Sequence, residues 1–106
     1  MDTLGDLEQL ALLAVLQAGD DAYGIPVQTE IRRRAHRDLT LGTIYKTLTR
    51  LEAKGLVASR VGAPTAERGG RAKRYYTVTA AGRRALRHSL AAIQRMAAGL
   101  DVGLET

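Results

Sequence analysis

Five polar or cationic side chains share one side of a predicted helix between residues 40 and 55. They are Thr43, Lys46, Thr47, Arg50 and Lys54. No acidic residue lies among them, and they offer hydroxyl groups, two ammonium groups and one guanidinium fork. Such groups suit phosphate oxygens and base edges in a DNA major groove. A merely solvated helix face would look similar, so the neighbouring elements have to decide between these two interpretations.

The opposite side of the same stretch carries the residues that would hold the helix in place. Leu41, Ile44, Leu48 and Leu51 recur at steps of three and four, which is typical of one buried helical face. Thr40 can cap the start of the helix, and Gly55 stands where a left-handed stop is expected. The spacing therefore predicts a helix between residues 40 and 55.

Two helices are predicted before this stretch. The first runs from Leu4 to Ala18, and residues 10–16 are apolar on every side of it, which predicts contact both with the core and with a second subunit. The second opens at Tyr23 and runs to about Arg34. It ends in a basic cluster that either complements the helix dipole or contacts phosphates flanking the third helix.

Two β-prone runs follow, at residues 56–61 and 71–78, around a loop at residues 62–70 that contains glycine. Two such runs around a loop of this kind predict a β-hairpin. Its tip and second arm carry Arg68, Arg71, Lys73 and Arg74. A basic hairpin placed directly after a basic helix is typical of a wing.

A last helix is predicted from Ala80, capped by Thr79, to about Gly99. Its apolar residues are spaced 4, 3, 4 and 3, as in the narrow seam of a coiled coil. They are Leu86, Leu90, Ile93, Ala97 and Leu100. An ordinary core stripe is the alternative interpretation. Because the upstream elements already complete a small domain, a second copy of the chain is the simplest cover for this seam.

Composition limits the class of protein. The chain has 106 residues, no cysteine and a formal net charge of +5. Residues 1–30 hold six acids and no Lys or Arg, whereas residues 31–95 hold all 16 basic residues and three acids. Such a basic middle favours a polyanion-binding surface. Nothing resembles a signal peptide or a membrane span, so we expect a cytoplasmic protein without membrane contact.

Catalytic and metal-binding constellations are not apparent in the sequence. Nucleophilic catalysis needs an activated nucleophile with an oriented base, and neither His36 nor His88 has a visible partner. We therefore expect no enzyme, no catalytic residue, no metal site and no cofactor. Among the tyrosines, Tyr45 lies at the border of the buried stripe, so packing and phosphate contact remain equally open. Tyr75 and Tyr76 should face opposite sides of a strand, and Tyr23 is expected to pack.

The order of these motifs resembles the PadR family of bacterial transcriptional regulators, over roughly residues 4 to 90. The residues that carry the likeness are Leu12-Leu13, Tyr23-Gly24-Ile25, Gly42-Thr43-Ile44-Tyr45, Leu48, Arg50-Leu51-Glu52, Gly55-Leu56, Gly70-Arg71-Ala72-Lys73-Arg74-Tyr75-Tyr76, Val78-Thr79 and Gly82. The single C-terminal helix is similar to the short subclass of this family.

The resemblance implies a homodimer that binds pseudo-palindromic operator DNA, usually represses transcription, and is often released by a small molecule. In some short members an aromatic residue of the last helix stacks planar drugs. The matching position here is Ile93, and the chain contains no Trp or Phe. We therefore expect no such stacking, while an apolar dimer cavity leaves room for a small apolar effector.

Together these observations predict a mainly α fold with a small β-hairpin, in which residues 1–79 form a winged helix-turn-helix and residues 80–106 a dimerisation helix and tail. The expected DNA contacts are Thr40, Thr43, Tyr45, Lys46, Thr47, Arg50, Arg71, Lys73 and Arg74. The expected dimer contacts are Leu10, Leu13, Leu86, Leu90, Ile93, Ala97 and Leu100. The alternative function is a winged-helix module that binds protein or RNA instead of double-stranded DNA.

Overall fold

The fold, taken from a computed structural model that describes residues 3–63 and 72–101, consists of four α-helices and one hairpin. The elements are α1 (Asp6–Ala18), a 3-10 turn (Gly19–Asp21), α2 (Gly24–Ala35), α3 (Leu41–Ala53), β1 (Val57–Val61), β2 (Arg74–Val78) and α4 (Ala80–Ala97). This order confirms the predicted mainly α winged helix-turn-helix.

Side-chain caps set where the helices begin. The Thr40 hydroxyl accepts the Thr43 N–H at 3.1 Å, and the Thr79 hydroxyl accepts the Gly82 N–H at 3.0 Å, which confirms both predicted caps. Helix α1 starts two residues later than predicted. The Glu8 carboxylate accepts the N–H of Gly5 at 2.8 Å, and this capping contact fixes the N-cap at Gly5.

Helices α2 and α3 are each followed by a residue with a left-handed backbone conformation. Gly55 has φ +76° after α3, as predicted, and costs little there because glycine has no Cβ. His36 ends α2 with φ +56°, a conformation that a side chain usually avoids. Helix α4 ends at Ala97, slightly before the predicted Gly99.

The hairpin is antiparallel, with Val57 opposite Val78 and Val61 opposite Arg74. Its second strand begins at Arg74, three residues later than predicted, and residues 64–71, including Arg68 and Arg71, lie outside the described residues. Tyr76 is buried while Tyr75 is half-buried, which confirms that the two rings face opposite sides. Burial, the largest influence, raises the pKa of the Tyr76 hydroxyl above its usual value of 10.0.

One core lies where α1, α2, α3 and the hairpin meet. Ile44, Leu48 and Leu51 of α3 are almost fully buried, which confirms three of the four residues of the predicted stripe, whereas Leu41 is only half-buried. They pack in the same cluster as Leu12 of α1 and Val27 of α2. The core therefore holds α3 by one side and leaves its other side to solvent.

The first half of α4 is fixed to the end of α3. The Thr79 hydroxyl donates to the Gly55 carbonyl at 2.7 Å, and the Thr79 N–H donates to the Leu56 carbonyl at 3.1 Å. Helix α4 comes so near this segment that a Cβ on Gly82 would overlap the Leu56 carbonyl oxygen. Glycine is therefore needed at this contact.

The predicted seam along α4 divides into a buried and an exposed part. Leu86 is only 5% exposed and belongs to the core of its own chain, so its prediction as a dimer contact is wrong. Leu90 is partly buried against that core. Beyond it the helix leaves the body of the domain, and Ile93 and Leu100 are 54% and 66% exposed. The core-stripe interpretation therefore holds for the first half of α4 only.

Candidate nucleic-acid interface

The solvent side of α3 presents two exposed cations. Lys46 and Arg50 are exposed, and neither forms a hydrogen bond or an ion pair within residues 3–63 and 72–101. Thr40 and Thr43 lie at the start of the same helix, where the Thr40 hydroxyl donates to the Thr43 hydroxyl at 3.0 Å. The structure thus brings four of the predicted DNA-contact residues together on α3.

Thr47 does not belong to this exposed face. Its side chain is buried and its hydroxyl donates to the Thr43 carbonyl at 2.9 Å, inside α3. Thr47 lies three residues after Ile44, on the flank of the apolar stripe, and a threonine can satisfy its hydroxyl on the preceding turn of the helix. Its predicted place among the solvent-facing groups is therefore wrong, and the i+3 spacing was the signal that could have shown it.

Lys54 is also removed from the predicted contact face. Its ammonium lies 2.8 Å from Glu8 of α1, whose side chain is only 6% exposed. Burial, the largest influence, would raise the pKa of Glu8. The Gly5 N–H, the Lys54 ammonium and the more distant Arg50 outweigh it, so this pKa lies below the usual 4.5. The pair joins α1 to the C-terminal end of α3.

This ion pair makes a prediction for acid stability. Because the folded pKa of Glu8 is lowered, its stabilising contribution is present above pH 4.5 and is lost as the pH falls through the folded pKa. Glu8→Gln should lower the free energy of unfolding at neutral pH by about 1–3 kcal/mol, since Lys54 stays half-covered without a counterion.

Thermal or urea unfolding between neutral and acidic pH measures both effects. The loss of stability below pH 4.5 should be shallower in Glu8→Gln than in the wild type. Asp20→Asn is the control, because Asp20 is an exposed acid on the 3-10 turn. If Glu8→Gln and Asp20→Asn show the same pH dependence, the pair does not stabilise the fold.

The arginines at the end of α2 all form ion pairs within the chain. Arg33 and Arg34 both pair with Glu30, at 3.2 and 2.7 Å. Arg32 lies 3.3 Å from Asp38, and Arg37 lies 2.8 Å from Asp6. These contacts favour the interpretation that the arginines complement the dipole at the C-terminal end of α2. They argue against phosphate binding, the other interpretation that the sequence left open.

Cations and tyrosines cluster beside the loop end of the hairpin: Tyr23, Arg60, Lys73 and Tyr75. The Lys73 ammonium lies 4.4 Å from the centroid of the Tyr23 ring, and the Arg60 guanidinium lies 4.7 Å from that of Tyr75. The two rings meet edge to face at 5.6 Å. Sequence reasoning missed Arg60, although its place opposite Tyr75 follows from the strand register.

Arg74 and Tyr45 complete the predicted set within the described residues. Arg74 is exposed at the start of β2 and donates to the Ser59 hydroxyl at 3.0 Å. Tyr45 is 41% exposed on α3, and its hydroxyl end lies against Gly24 at the start of α2. The packing interpretation of Tyr45 therefore has a contact to support it, while part of the ring still faces solvent.

A shallow apolar cleft of about 260 Å³ lies between α1 and α2, away from the exposed side of α3. Leu10, Leu13, Ile31 and Ala35 form its apolar wall, and Glu30 and Arg34 stand at its edge. Leu10 and Leu13 are only partly buried there. Two of the predicted dimer contacts thus remain accessible on α1.

Comparison with known proteins shows to which family the chain belongs. The family model described as the transcriptional regulator PadR-like family matches residues 12–88, a range that includes α2, α3, the hairpin and the buried start of α4. The chain belongs to the PadR-like family. It is also 38% identical over 80 residues to the transcriptional regulator Rv3488 of Mycobacterium tuberculosis, covering 76% of this chain and 70% of that protein.

Solved PadR structures share the fold. A PadR family transcription regulator of Clostridium difficile aligns with a TM-score of 0.69 and 26% identity, covering 88% of this chain and 95% of that one. PadR of Bacillus subtilis, solved in complex with operator DNA, aligns with a TM-score of 0.65 and 21% identity, covering 80% and 47%. At that identity the second likeness concerns the fold alone.

Residues 3–63 and 72–101 contain neither a candidate metal site nor a candidate membrane-spanning helix. No group of three or more His, Asp or Glu side chains is placed to hold a metal ion there. In the same part of the chain, no helix combines the length and the apolar character that crossing a bilayer requires.

Proposed function

We propose that this PadR-like regulator binds operator DNA as a homodimer and represses transcription. The observation that carries the proposal is the distribution of paired and unpaired cations. The arginines of α2 form ion pairs with acids of their own chain, whereas Lys46 and Arg50 stand exposed on α3 without a hydrogen bond or an ion pair among the described residues. Charges left unpaired in this way favour association with a polyanion.

The geometry supports α3 as the recognition helix. The core holds it by Ile44, Leu48 and Leu51, so the side with Lys46 and Arg50 is free to enter a major groove. The hairpin follows directly and would contact the flanking backbone or minor groove. The Bacillus subtilis structure with operator DNA has the same fold, which is consistent with this arrangement.

Side-chain chemistry divides the roles in the proposed complex. Arg50 can read a guanine through two parallel hydrogen bonds or clamp a phosphate, and Thr43 can meet a base edge or a thymine methyl. Lys46, Lys73 and Arg74 would contact phosphates and contribute affinity that depends on salt. Tyr45, which is 41% exposed beside Lys46, remains a proposed phosphate contact. Arg71, outside the described residues, remains a proposed phosphate contact from its sequence position.

The homodimer is proposed from the exposed apolar side chains of α4. Ile93, Met96 and Leu100 are 54%, 80% and 66% exposed. Exposure of neighbouring large apolar side chains to water is unfavourable and is typical of an interface with another protein. Leu10 and Leu13 on α1 offer further apolar surface. A two-fold dimer would place its recognition helices about one helical turn of DNA apart, roughly 34–36 Å, on a pseudo-palindromic site.

Titration against different nucleic acids tests the proposed function and separates it from its alternative. The protein should bind duplex DNA more tightly than single strands or RNA, and log affinity should fall linearly with log salt. Preferential binding to RNA, or binding to no nucleic acid at all, would favour the alternative of an RNA-binding or protein-binding winged helix.

Release by a small apolar effector is the last part of the proposal, and it makes a negative prediction for planar dyes. Stacking needs a large aromatic face, and α4 contains no Phe, Tyr or Trp; Ile93 stands at the position concerned. A planar cationic dye should therefore show no saturable fluorescence change at micromolar protein. Ile93→Trp should create such binding if the position lines a dimer cavity. Tight dye binding by the wild type that also releases DNA would contradict the prediction.

A further inference from the structure

Three residues between the 3-10 turn and the first turn of α2 contact both parts of the proposed DNA interface. This segment, Ala22–Gly24, is here called the α2 entry. Ala22 is fully buried and its carbonyl accepts the N–H of Tyr76 at 2.8 Å, so the α2 entry is fastened to β2 by a backbone hydrogen bond. The two residues that follow Ala22 then face two different elements.

Tyr23 contacts the hairpin through its ring. The ring lies edge to face with Tyr75 at 5.6 Å and carries the Lys73 ammonium 4.4 Å above its centroid. The same ammonium is 3.4 Å from the Tyr23 hydroxyl. The three side chains sit where the loop of the hairpin closes, because the Gly62 N–H donates to the Lys73 carbonyl at 2.7 Å. The Tyr23 ring therefore packs beside the end of the hairpin at which β1 ends and β2 begins.

Gly24 contacts the recognition helix. A Cβ built on Gly24 would overlap the hydroxyl end of Tyr45, so the Tyr45 ring rests directly on the backbone of the α2 entry. Tyr45 is the neighbour of Lys46 in sequence, and it lies one turn before Thr49 on the exposed part of α3. The α2 entry thus contacts α3 as well as the hairpin.

We infer that the α2 entry fixes the angle between α3 and the hairpin, and that Tyr23 is a positioning residue for DNA binding. This rests on the proposed function. Tyr23 acts through Lys73 and Tyr75 rather than by touching DNA, because its ring is already occupied by these two side chains. Aromatic rings hold cations and other rings in defined geometries that an aliphatic side chain does not reproduce. An aliphatic residue at position 23 would fill the space of the ring but would not fix the angle between the hairpin and α3.

Tyr23→Leu and Tyr23→Phe separate ring from hydroxyl in a first experiment. Operator and scrambled duplexes are titrated with each variant at several salt concentrations. Tyr23→Leu should bind roughly threefold to tenfold more weakly with a flatter salt dependence, because cations of the hairpin no longer meet phosphates. Tyr23→Phe should stay within about twofold of the wild type, since the ring and its cation contact remain.

A double variant tests whether Tyr23 acts through Lys73. Lys73→Gln alone should weaken binding and flatten the salt dependence, and adding it to Tyr23→Leu should change little more. Full additivity of the two losses would contradict the inference. So would a Tyr23→Phe variant as weak as Tyr23→Leu, because the hydroxyl rather than the ring would then be the group that DNA binding requires. Melting temperatures show that each variant is folded.

A distance measurement decides the matter without DNA. The chain has no cysteine, so Thr49→Cys on α3 and Ala72→Cys beside the hairpin, both exposed positions, give one clean spin-label pair. Labelled protein is diluted with unlabelled protein so that only distances within one chain count. Tyr23→Leu should broaden or shift the distance distribution, and Tyr23→Phe should not.

The two experiments fail in different ways. An unchanged distribution in a folded Tyr23→Leu protein would overturn the positioning role even if DNA affinity falls. A wild type that binds no duplex would overturn the proposed function, and the label distances would still show whether Tyr23 holds the hairpin.

Discussion

Replacing Lys46 and Arg50 together by alanine should weaken operator binding by at least about a hundredfold, while the protein stays folded. Both side chains are exposed and unpaired within the described residues, so their removal leaves the core and the ion pairs intact. If Arg50 reads a base, Arg50→Ala alone should cost roughly 1–3 kcal/mol and relax the preference at one position per half-site. Fluorescence anisotropy with operator and scrambled duplexes measures both.

Arg32→Ala with Arg33→Ala is the matched control, because it also removes two positive charges, but from α2 instead of α3. These arginines are exposed and already paired with acids, and exposed pairs contribute little to stability. The control should bind operator within a few fold of the wild type. Arg74→Gln should weaken binding to every duplex alike. Equal losses in the α2 and α3 double variants would mean that only net charge matters and that α3 is not the recognition helix.

Ile93→Glu with Met96→Glu should convert the dimer into a monomer and remove tight operator binding. Both side chains are largely exposed in the single chain, so charge there is tolerated by a monomer but not in an apolar interface, where it would be buried without a partner. A monomer engages one half-site and loses the gain from simultaneous binding at two. Sedimentation velocity at micromolar concentration gives the oligomeric state.

Arg84→Gln with Arg95→Gln is the control for charge, since it also lowers the net charge by two and lies on the opposite side of α4. This variant should remain a dimer. A wild type that sediments as a monomer, or a double-glutamate variant that remains a dimer, would contradict the proposed interface.

Periodicity and capping predicted the fold well because both depend on neighbouring residues. The stripe at Ile44, Leu48 and Leu51 and the caps at Thr40 and Thr79 follow from helical geometry and were confirmed. The alternation of Tyr75 and Tyr76 follows in the same way from the pleat of a strand.

The misplacements within the candidate site came from contacts between distant parts of the chain. Lys54 pairs with Glu8, 46 residues earlier in the chain, and no local sequence pattern predicts that ion pair. Leu86 has the spacing of a coiled-coil seam, but it is buried in the core cluster of its own chain. Likewise, Tyr23 and Lys73 are 50 residues apart and meet next to the backbone hydrogen bond that joins Ala22 to β2. A sequence shows which groups a helix presents, whereas their partners depend on how the elements pack.

Selection of genomic fragments by the purified wild-type protein, followed by titration of the best fragment against a shuffled duplex, tests the central claim most directly. The fragments should share a two-fold-symmetric motif with half-sites about one helical turn apart, and the motif should bind far more tightly than its shuffled form at physiological salt. Enrichment of no common sequence, with equal affinity for motif and shuffled duplex, would contradict sequence-specific operator binding by this chain.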